Sequence, residues 1–547
     1  MLLFFHAPVA QWIERLASNQ KVASSTLAGR TIQQTHVKQL NIMQNKVKIE
    51  KFEIPIEVSR VTKALKEAGF EAYLVGGCVR DMFMGRKPKD WDVTTNATPE
   101  EIIPLFPKTF YENVYGTVAV VNEWVEDVED PESEAERETL KTIEITPYRL
   151  ESDYSDHRRP DSVKFSQNIL DDLKRRDFSI NAIAYNAETG EITDSFGGMQ
   201  DLNKRIIRAV GDPNERFYED GLRMLRAVRL HVELSFEIEE KTRLAILKNK
   251  DILSQVSRER IRDEFFRIIM SVNPMAGLVS LKDLGLLRYI IPELEESFGV
   301  EQNKAHAFDV WTHLLKTLQH SADKNYPLHV RLAALLHDIS KPATRRWNDQ
   351  TKQWTFYGHE VVGSRVTKRI LENLKVSRET IEKVVTLVRW HMFFSDTETI
   401  TPSAVRRLLA NVGKENIWDL INVRLCDRIG TGRPKENPYR LRKYQAMIEE
   451  VMMDPVSVGM LKTNGKKIME ILDVAPGPKI GQMLNTLLEE VLEDPKLNTE
   501  EYLNQRTKDL ALLSDRELME LAVKGKEKKE KEQEKKIRKI RGRHHVE

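Results

Sequence analysis

The chain has 547 residues, of which 40% are hydrophobic and 31% charged, and its formal net charge is +1. This length predicts several domains, and the composition is normal for a soluble, mostly helical protein. No apolar run reaches the roughly 18–20 residues of a membrane helix, which excludes a membrane-spanning protein. Two cysteines without metal-type spacing, Cys78 and Cys426, argue against a disulfide framework and favour a cytoplasmic protein.

The first 42 residues show little amphipathic order. Residues 7–31 read like the conceptual translation of a transfer-RNA gene, a known product of misplaced start codons. We interpret residues 1–42 as a non-native leader and expect the natural chain to begin at Met43. A genuine disordered leader is the alternative.

Globular patterning begins near residue 52. Residues 54–69 have helical spacing and end on a glycine, and residues 72–75 are a short apolar run typical of a strand. Residues 117–122 and 142–148 alternate like paired strands, with an acidic stretch between them. From residue 170 onward nearly every segment is helical in pattern.

The segment after the first predicted strand carries two closely spaced aspartates, Asp90 and Asp92. On a strand, residues two apart point to the same face, and two adjacent carboxylates repel unless a cation lies between them. Carboxylate oxygens suit Mg²⁺, which waters and substrate phosphates usually complete. Glu144, in the strand TIEITPYR, is the natural third acid for a catalytic site with two metal ions.

Two glycines precede this pair of aspartates. Gly76 and Gly77 follow a predicted strand and open a helix, so the backbone there can approach a triphosphate. Arg80, in the first turn of that helix, is a candidate phosphate contact, whereas Asp81 is expected to fix Arg80 or to cap the helix locally. A lone Asp-x-Asp is usually a solvated strand end, but the paired glycines upstream favour a catalytic role for these two aspartates.

Several motifs then follow in order: LVGGCVRDMFMGRKPKDWDV, RLESDYSDHRRPDSVKF, LDDLKRRDFSINAIAY, DSFGGMQDL and YEDGLRMLRAVR. Together they resemble the nucleotidyltransferase superfamily of DNA polymerase beta and, within it, the bacterial-type (class II) CCA-adding enzymes and poly(A) polymerases. The resemblance runs from about residue 52 to about residue 292. It implies an α+β fold, with a small mixed-sheet head followed by an all-helical neck, body and tail.

The motif YEDGLRMLRAVR suggests how a base is chosen. Asp220 and Arg223 are three apart, which predicts one shared helical face. A carboxylate only accepts hydrogen bonds and a guanidinium only donates them, and this pair matches the amino group and ring nitrogen of cytosine and adenine. Uracil and guanine present the reverse pattern. Ion pairs of these arginines with Glu219 and other acids are the alternative interpretation.

The resemblance gives Asp220 and Arg223 this templating role. It also implies further nucleotide-site residues, which are Arg176, Arg226 and Arg229. Asn181 is expected to organise the site, and the glycines of DSFGGMQDL are expected to form a hinge, although Asp194 and Asp201 are equally interpretable as turn and cap residues.

The C-terminal half carries a second set of chemical residues. The order His313, His337-Asp338, Asp427 resembles the HD domain, a helical metal-dependent phosphohydrolase fold, and His359 and His391 match further histidines of such domains. Imidazole with carboxylate suits a divalent transition metal such as Mn, Fe, Ni or Co. Lys341, one turn after His337, is a candidate phosphate contact. The domain is either a phosphohydrolase or a structural RNA-binding module.

The expected divisions are a leader at 1–42, a head at 43–195, neck and body at 196–300, an HD domain at 301–435, a helical tail at 436–523 and a charged tail at 524–547. The resemblance implies untemplated addition of CCA to transfer RNA from CTP and ATP with Mg²⁺, and neither a membrane nor DNA as a partner. A poly(A) polymerase or a CC-only or A-only enzyme is the alternative. The full-length loop at 149–165 disfavours a CC-only enzyme.

Overall fold

A computed structural model of the chain describes residues 47–48, 52–112, 116–122, 139–152, 162–303, 306–393, 400–514, 516–518 and 521. The chain divides into two compact units, Met1–Val47 and Lys48–Glu547, and every element below belongs to the second. The predicted leader, most of the acidic stretch, the middle of the loop at 149–165 and the charged tail lie outside the described residues.

A mixed β-sheet forms the centre of the head. Its neighbouring strands, read from one side, are Glu191–Thr193, Ala184–Tyr185, Tyr73–Val75, Asp92–Thr95, Thr142–Pro147, Thr117–Val121 and Thr109–Glu112. Most neighbours are antiparallel, but Asp92–Thr95 and Thr142–Pro147 run parallel. The predicted pairing of the strands near 117 and 142 is therefore confirmed.

The parallel pair sets the faces of the sheet. Asp92 lies directly opposite Glu144 in the register of the two strands. Ile143 and Ile145 are fully buried, so the intervening Glu144 points to the other face and is exposed. One face of this pair thus supplies the core, and the other presents acids.

Short helices pack on the head sheet. They are Ile56–Glu67, Gly77–Phe83, Pro99–Ile102 and Ile169–Lys174, with 3-10 turns at Ile103–Leu105 and Ser179–Asn181. The first buries Val58, Val61 and Leu65 and stops before Gly69, whose φ of +91° ends the helix as predicted. A separate antiparallel ribbon joins Arg149–Ser152 to Ser162–Phe165.

The chain after the head is almost entirely helical. The neck and body helices are Gly198–Lys204, Pro213–Glu219, Leu222–Leu234, Glu240–Asn249, Arg258–Met270, Pro274–Asp283 and Pro292–Glu295. The helices of the predicted HD region are Val310–Asp323, Leu328–Leu336, Lys341–Thr344, His359–Asn373, Arg378–Trp390, Pro402–Val412 and Ile417–Gly430. The later helices are Tyr439–Val451, Gly465–Leu472, Pro478–Glu493 and Glu500–Ala511.

Small non-helical pieces interrupt this pattern. Two short two-stranded sheets pair Ile206–Ile207 with Glu237–Ile238 and Arg346–Asn348 with Gln353–Thr355. Further 3-10 turns lie at Lys250–Gln255, Leu287–Tyr289, Val458–Met460 and Pro495–Leu497. The predicted α+β class, with a mixed-sheet head and a helical remainder, is confirmed.

Three clusters of buried hydrophobic residues lie in the described chain. The largest runs from the head sheet through the HD-region helices, and a smaller one forms under the last helices from residues such as Ile468, Leu487 and Leu503. The smallest joins Val75, Leu173 and Ala184 in the head. Within the described ranges, none of the helices combines the length and the apolar character that crossing a membrane requires.

Candidate active site and candidate metal centre

Three carboxylates lie near one another at the start of two central strands of the head sheet, and we call Asp90, Asp92 and Glu144 the acidic cluster. The strand begins at Asp92, so the prediction that Asp90 lies on the same strand is wrong; Asp90 occupies the bend before it. The two aspartates nevertheless face neighbouring glycines. A Cβ on Gly76 would lie 3.1 Å from Asp92 Oδ2, and one on Gly77 would lie 3.5 Å from Asp90 Oδ1.

Gly76 is required here for two reasons. Its φ is +84°, a region that L side chains rarely adopt, and its missing Cβ leaves room for the Asp92 carboxylate and for Arg176 Nη1 at 3.2 Å. The helix Gly77–Phe83 starts immediately after it. The predicted glycine pair is thus adjacent to the predicted aspartates.

The electrostatics of the acidic cluster favour a bound cation. Burial, then the neighbouring charges of Asp90 and Glu144, raise the pKa of Asp92 to about 7, against the lowering influence of Arg176 and Arg226. Negative charges that raise the pKa of a neighbouring carboxyl group in this way are stabilised by a positive charge beside them. Since all three offer hard oxygen ligands, the residues present fit a Mg²⁺ ion.

A chain of polar contacts leads from the glycine loop to the neck. Arg80 Nη1 donates to Asn181 Oδ1 at 2.8 Å, and Asn181 Nδ2 donates to Asp177 Oδ1 at 3.2 Å. Asp177 Oδ2 lies 3.2 Å from Arg226 Nε. Asp177 is the foremost of the carboxylates that raise the pKa of Arg226, and Asp92 also contributes. Arg80, Asn181 and Arg226 therefore lie along one side of the candidate site.

Two predicted details of this region can be compared with the contacts. Arg80 Nε donates to Asp81 Oδ1 at 2.9 Å, so the expected pairing of Asp81 with Arg80 is confirmed. Arg176 is held by the fully buried Asp172, whose Oδ2 accepts from Arg176 Nη2 at 3.0 Å. Burial opposes ionisation of Asp172, but Arg175 and Arg176 outweigh it and lower its pKa to about 2.

The predicted base-reading pair is arranged differently from the expectation. Asp220 is the extended residue that ends the helix Pro213–Glu219, and Arg223 lies in the next helix, Leu222–Leu234. The expectation that both lie on one helical face is therefore wrong, because the chain bends between them. Arg223 Nη1 pairs with Glu219 at 2.6 Å, as the alternative interpretation proposed.

Arg229 lies further along the same helix. Its guanidinium pairs with Glu264 at 2.7 Å and with Glu233 at 3.0 Å. In the described part of the chain these contacts connect it to the helix Arg258–Met270 and not to the acidic cluster. Its expected place in the nucleotide site stays a prediction.

The predicted hinge is tightly packed. Asp194 accepts from the backbone N–H groups of Gly198 and Met199 at 2.8 and 2.9 Å, which is the cap role that was left open for it. A Cβ on Gly198 would lie 2.2 Å from the carbonyl oxygen of Ser179. Gly198 therefore serves close packing here, whereas Gly197 has the left-handed φ of +73°.

A second group of side chains meets among the HD-region helices, and we call it the histidine cluster. Its members are His313, His337, Asp338, His359, His391 and Asp427, and each is buried. The sequence predicted all six, and the structure brings them together.

Asp338 lies between two pairs of histidines. Its Oδ2 is 3.1 Å from His313 Nε2 and 3.2 Å from His337 Nε2. Its Oδ1 is 3.1 Å from His359 Nε2 and 3.6 Å from His391 Nε2. Asp427 Oδ1 completes one side, 3.4 Å from His313 Nε2.

The imidazole orientations suit a metal centre. The Nδ1 atoms of His337, His359 and His391 lie 2.9, 2.6 and 2.7 Å from the backbone carbonyl oxygens of the residues three positions earlier. A carbonyl only accepts, so Nδ1 carries the hydrogen and Nε2 keeps its lone pair when the ring is neutral. These Nε2 atoms therefore converge with carboxylate oxygens as acceptors, an arrangement that a cation stabilises.

Charge in the cluster supports the same conclusion. Asp338 Oδ1 is buried and accepts no hydrogen bond from the described residues. Burial disfavours the charged form of His337, but Asp338 and Asp427 outweigh it and raise its pKa to about 10, so these carboxylates attract positive charge to the cluster. Burial lowers the pKa of His391 to about 4, which keeps that ring neutral and able to ligate. The residues present fit a divalent transition metal.

The sequence missed one member of this neighbourhood, His306. Its ring packs edge-on against His313 with centroids 5.5 Å apart, and its Nε2 lies 3.4 Å from Lys341 Nζ. Because His306 belongs to an irregular segment, no helical spacing marked it. Lys341, predicted to contact phosphate, pairs here with Asp338 Oδ2 at 2.6 Å and Gln302 Oε1 at 2.6 Å.

Three family profiles match consecutive parts of the chain. "Poly A polymerase head domain" covers residues 72–208, "Probable RNA and SrmB- binding site of polymerase A" covers residues 235–298, and "HD domain" covers residues 306–432. The acidic cluster lies in the first match and the histidine cluster in the third.

Curated relatives carry the name CCA-adding enzyme. One from Ligilactobacillus salivarius is 30% identical over 82% of this chain and 95% of its own length. One from Enterococcus faecalis is 31% identical over 82% and 94%. A third, from Lactobacillus delbrueckii subsp. bulgaricus, is 47% identical over 40% of this chain, and the chain spans 51% of that relative's length.

Solved structures agree in fold. The Bacillus stearothermophilus CCA-adding enzyme in complex with CTP matches with a TM-score of 0.59 and 25% identity, covering 84% of this chain and 98% of its own. An apo form of a CCA-adding enzyme matches with a TM-score of 0.55 and 19% identity, covering 86% of this chain and all of that one.

Proposed function

Because the chain belongs to the family of CCA-adding enzymes, we propose that it adds CCA to the 3′ end of transfer RNA from CTP and ATP. The observation that carries the proposal is the acidic cluster beside the glycine loop. Asp92 lies opposite Glu144, and the absence of a Cβ on Gly76 leaves room for the Asp92 carboxylate. A family relative bound to CTP in its crystal structure supports the choice of substrate. Pyrophosphate is the second product.

In this proposal Asp90 and Asp92 hold Mg²⁺, and Glu144 is the third acid of the site. Mg²⁺ supplies charge stabilisation for the attacking 3′-oxygen and for the leaving pyrophosphate when it is bound. The pKa of Asp92, which its neighbours raise, is consistent with a site that holds positive charge during the reaction. Gly76, Gly77 and Arg80 bind the triphosphate, and Arg176 and Arg226 neutralise charge beside it.

We further propose that Asp220 and Arg223 choose the base. Cytosine and adenine offer an amino donor to the carboxylate and a ring nitrogen to the guanidinium, whereas uracil and guanine leave those groups without partners. Such a pair favours a matching base over a mismatched one by about 1–3 kcal/mol of binding free energy. Arg229 is also proposed to line the nucleotide site, and its ion pairs with Glu233 and Glu264 hold its guanidinium in place.

The experiment uses purified protein and three transfer RNAs that end at the discriminator base, at C and at CC. CTP and ATP are supplied separately and together, and the products are resolved at single-nucleotide length. Addition that completes CCA on all three and then stops supports the proposal. Unlimited addition of A would identify a poly(A) polymerase, and addition of C or A alone would identify a partial enzyme.

A second function rests on the histidine cluster. We propose that His313, His337, Asp338 and Asp427, together with His359 and His391, hold a divalent transition metal for phosphate hydrolysis. A metal bound there supplies a nucleophilic hydroxide near neutral pH. Lys341, whose Nζ lies 2.6 Å from Asp338 Oδ2, is proposed to contact a phosphate oxygen.

Two measurements test this second function. The metal content of the purified protein is determined, and hydrolysis of a phosphomonoester and of a 2′,3′-cyclic nucleotide is assayed after loading with Mn²⁺, Ni²⁺, Co²⁺ or Fe²⁺. Stoichiometric metal that is lost in His337→Ala, together with hydrolysis, supports a hydrolase. Metal without hydrolysis would leave a structural centre, and no metal would refute the site.

A further inference from the structure

A third arginine holds the carboxylate of Asp220. Arg260, on the helix Arg258–Met270, donates from Nη1 to Asp220 Oδ1 at 3.1 Å and from Nη2 to Asp220 Oδ2 at 2.7 Å. Both side chains are largely buried, 25% and 14% exposed. Two parallel bonds of this kind fix the plane of the carboxylate as well as its position.

The contacts leave Asp220 a limited capacity to accept hydrogen bonds. A carboxylate has about four acceptor sites. In the described part of the chain, Arg260 uses one on each oxygen, and the backbone N–H of Leu222 uses the second one on Oδ1 at 3.0 Å. One acceptor site is therefore left, and it is on Oδ2.

Arg223 is restricted in the same way on the donor side. Its Nη1 donates to Glu219 Oε2 at 2.6 Å and to the carbonyl oxygen of Arg216 at 3.2 Å. Its Nη2 donates to the carbonyl oxygen of Arg175 at 3.0 Å. Among the described contacts, Nε and one N–H of Nη2 stay available for a base.

From this accounting we infer that Arg260 is a specificity-determining positioning residue, which orients Asp220 so that one carboxylate oxygen accepts the amino group of an incoming CTP or ATP. The inference rests on the proposed role of Asp220 in base choice. Arg260 belongs to the body of the protein and touches the base only through Asp220. Without it, the carboxylate can rotate and accept from other donors, so the penalty against UTP and GTP falls.

Packing already fixes the backbone beside Asp220. The contribution of Arg260 to base choice can therefore be distinguished from a contribution to folding. A Cβ on Gly221 would lie 3.1 Å from Ile252 Cγ2 and 3.2 Å from Val256 Cγ2, so the bend is pressed against the body without Arg260. Phe217 and Leu225 on either side of the bend are fully buried. Loss of Arg260 is therefore expected to release the carboxylate and not the fold.

The test compares single-nucleotide incorporation of CTP, ATP, UTP and GTP, as kcat/KM, by the wild type and by Arg260→Gln, Arg260→Lys, Asp220→Ala and the double variant Asp220→Ala/Arg260→Gln. We expect Arg260→Gln to lower the CTP-over-UTP ratio about tenfold with little change in the KM for transfer RNA. Arg260→Lys, a point charge that cannot grip both oxygens, should give an intermediate ratio. In the double variant Arg260→Gln should add nothing to Asp220→Ala.

Arg243→Gln is the matched control. Arg243 forms an equally two-pronged pair with Glu240, at 2.8 Å for both bonds, but that pair is exposed on the neighbouring helix Glu240–Asn249. Its ratio should equal that of the wild type. An unchanged ratio in Arg260→Gln, or an equal loss for all four nucleotides, would overturn the inference while Asp220→Ala still relaxes selectivity. If Asp220→Ala leaves selectivity intact, the proposed base choice fails and the inference fails with it.

Discussion

The acidic cluster and the histidine cluster are two acid-containing centres built in opposite ways. In the head, Asp90 and Glu144 are exposed, and the ligands come from a bend and two neighbouring strands. Among the HD-region helices, His313 and His337 are fully buried, and backbone carbonyls fix the Nδ1 atoms of three of the histidines.

On the proposed functions, this difference predicts two kinds of metal use. Exposed oxygen ligands suit a hard ion that enters with a nucleotide and leaves with pyrophosphate. Buried nitrogen and oxygen ligands whose orientation is fixed suit a resident transition metal. The two centres should therefore respond independently to substitution and to chelation, and the predictions below test that independence.

The largest effect is expected from Asp92→Ala. Removing a carboxylate from the acidic cluster should lower nucleotide addition by about 10³-fold or more, since several kcal/mol of charge stabilisation are lost. Single-turnover addition of radiolabelled CMP to transfer RNA measures it. Transfer-RNA affinity and the metal content of the histidine cluster should be unchanged. Addition within tenfold of the wild type would contradict the proposed metal role.

The reciprocal substitution is His337→Ala. It removes a ligand from the histidine cluster and should weaken metal binding there by about 10²-fold, so that the purified protein loses its transition metal. Elemental analysis measures the loss of metal. Nucleotide addition serves as the internal control, and its rate should stay within about twofold of the wild type because distant sites without shared partners act independently. Parallel loss of addition would mean that the HD-region helices support the head.

A smaller effect is expected from Gly76→Ala, with Gly69→Ala as its control. Both glycines have a strained φ for an L residue, +84° and +91°, but only a Cβ on Gly76 would contact Asp92 and Arg176. Gly76→Ala should lower addition about tenfold more than Gly69→Ala, because small displacements of reacting groups are costly. Circular dichroism melts should show similar destabilisation of both. Equal rates of addition by the two variants would show that Gly76 does not act at the nucleotide site.

Sequence reasoning reached most of the residues that are now gathered in the two clusters. Asp92, Glu144 and His313 lie in patterned strands and helices, where alternation or helical spacing indicates which face a residue occupies. His337, His359 and His391 lie at helix ends, and the resemblance to the HD domain identified them. The family resemblance supplied their order along the chain, and membership in the family, the HD match and the α+β class are confirmed. The roles of the individual residues and the domain boundaries stay predictions.

What the sequence missed are contacts that no local pattern encodes. Arg260 lies 40 residues from Asp220 and meets it only because the helix Arg258–Met270 packs against the bend that holds Asp220. His306 reaches the histidine cluster from an irregular segment. The bend at Asp220 and the position of Asp90 outside the strand depend on chain direction at element ends, which are the least determined by periodicity.

The smallest effect is expected in thermal stability after chelation. A resident metal stabilises the folded state by mass action, so EDTA treatment should lower the Tm by about 5–10 °C if the histidine cluster is loaded. His337→Ala should abolish this shift, and Asp92→Ala should keep it, since Asp90 and Glu144 are exposed and the Mg²⁺ proposed to bind beside them is expected to dissociate on dilution. Scanning calorimetry with and without EDTA, at fixed protein concentration, measures both. A shift that follows Asp92 instead of His337 would reverse the assignment of the resident and the transient metal, because the exposed oxygen ligands would then hold the tighter ion.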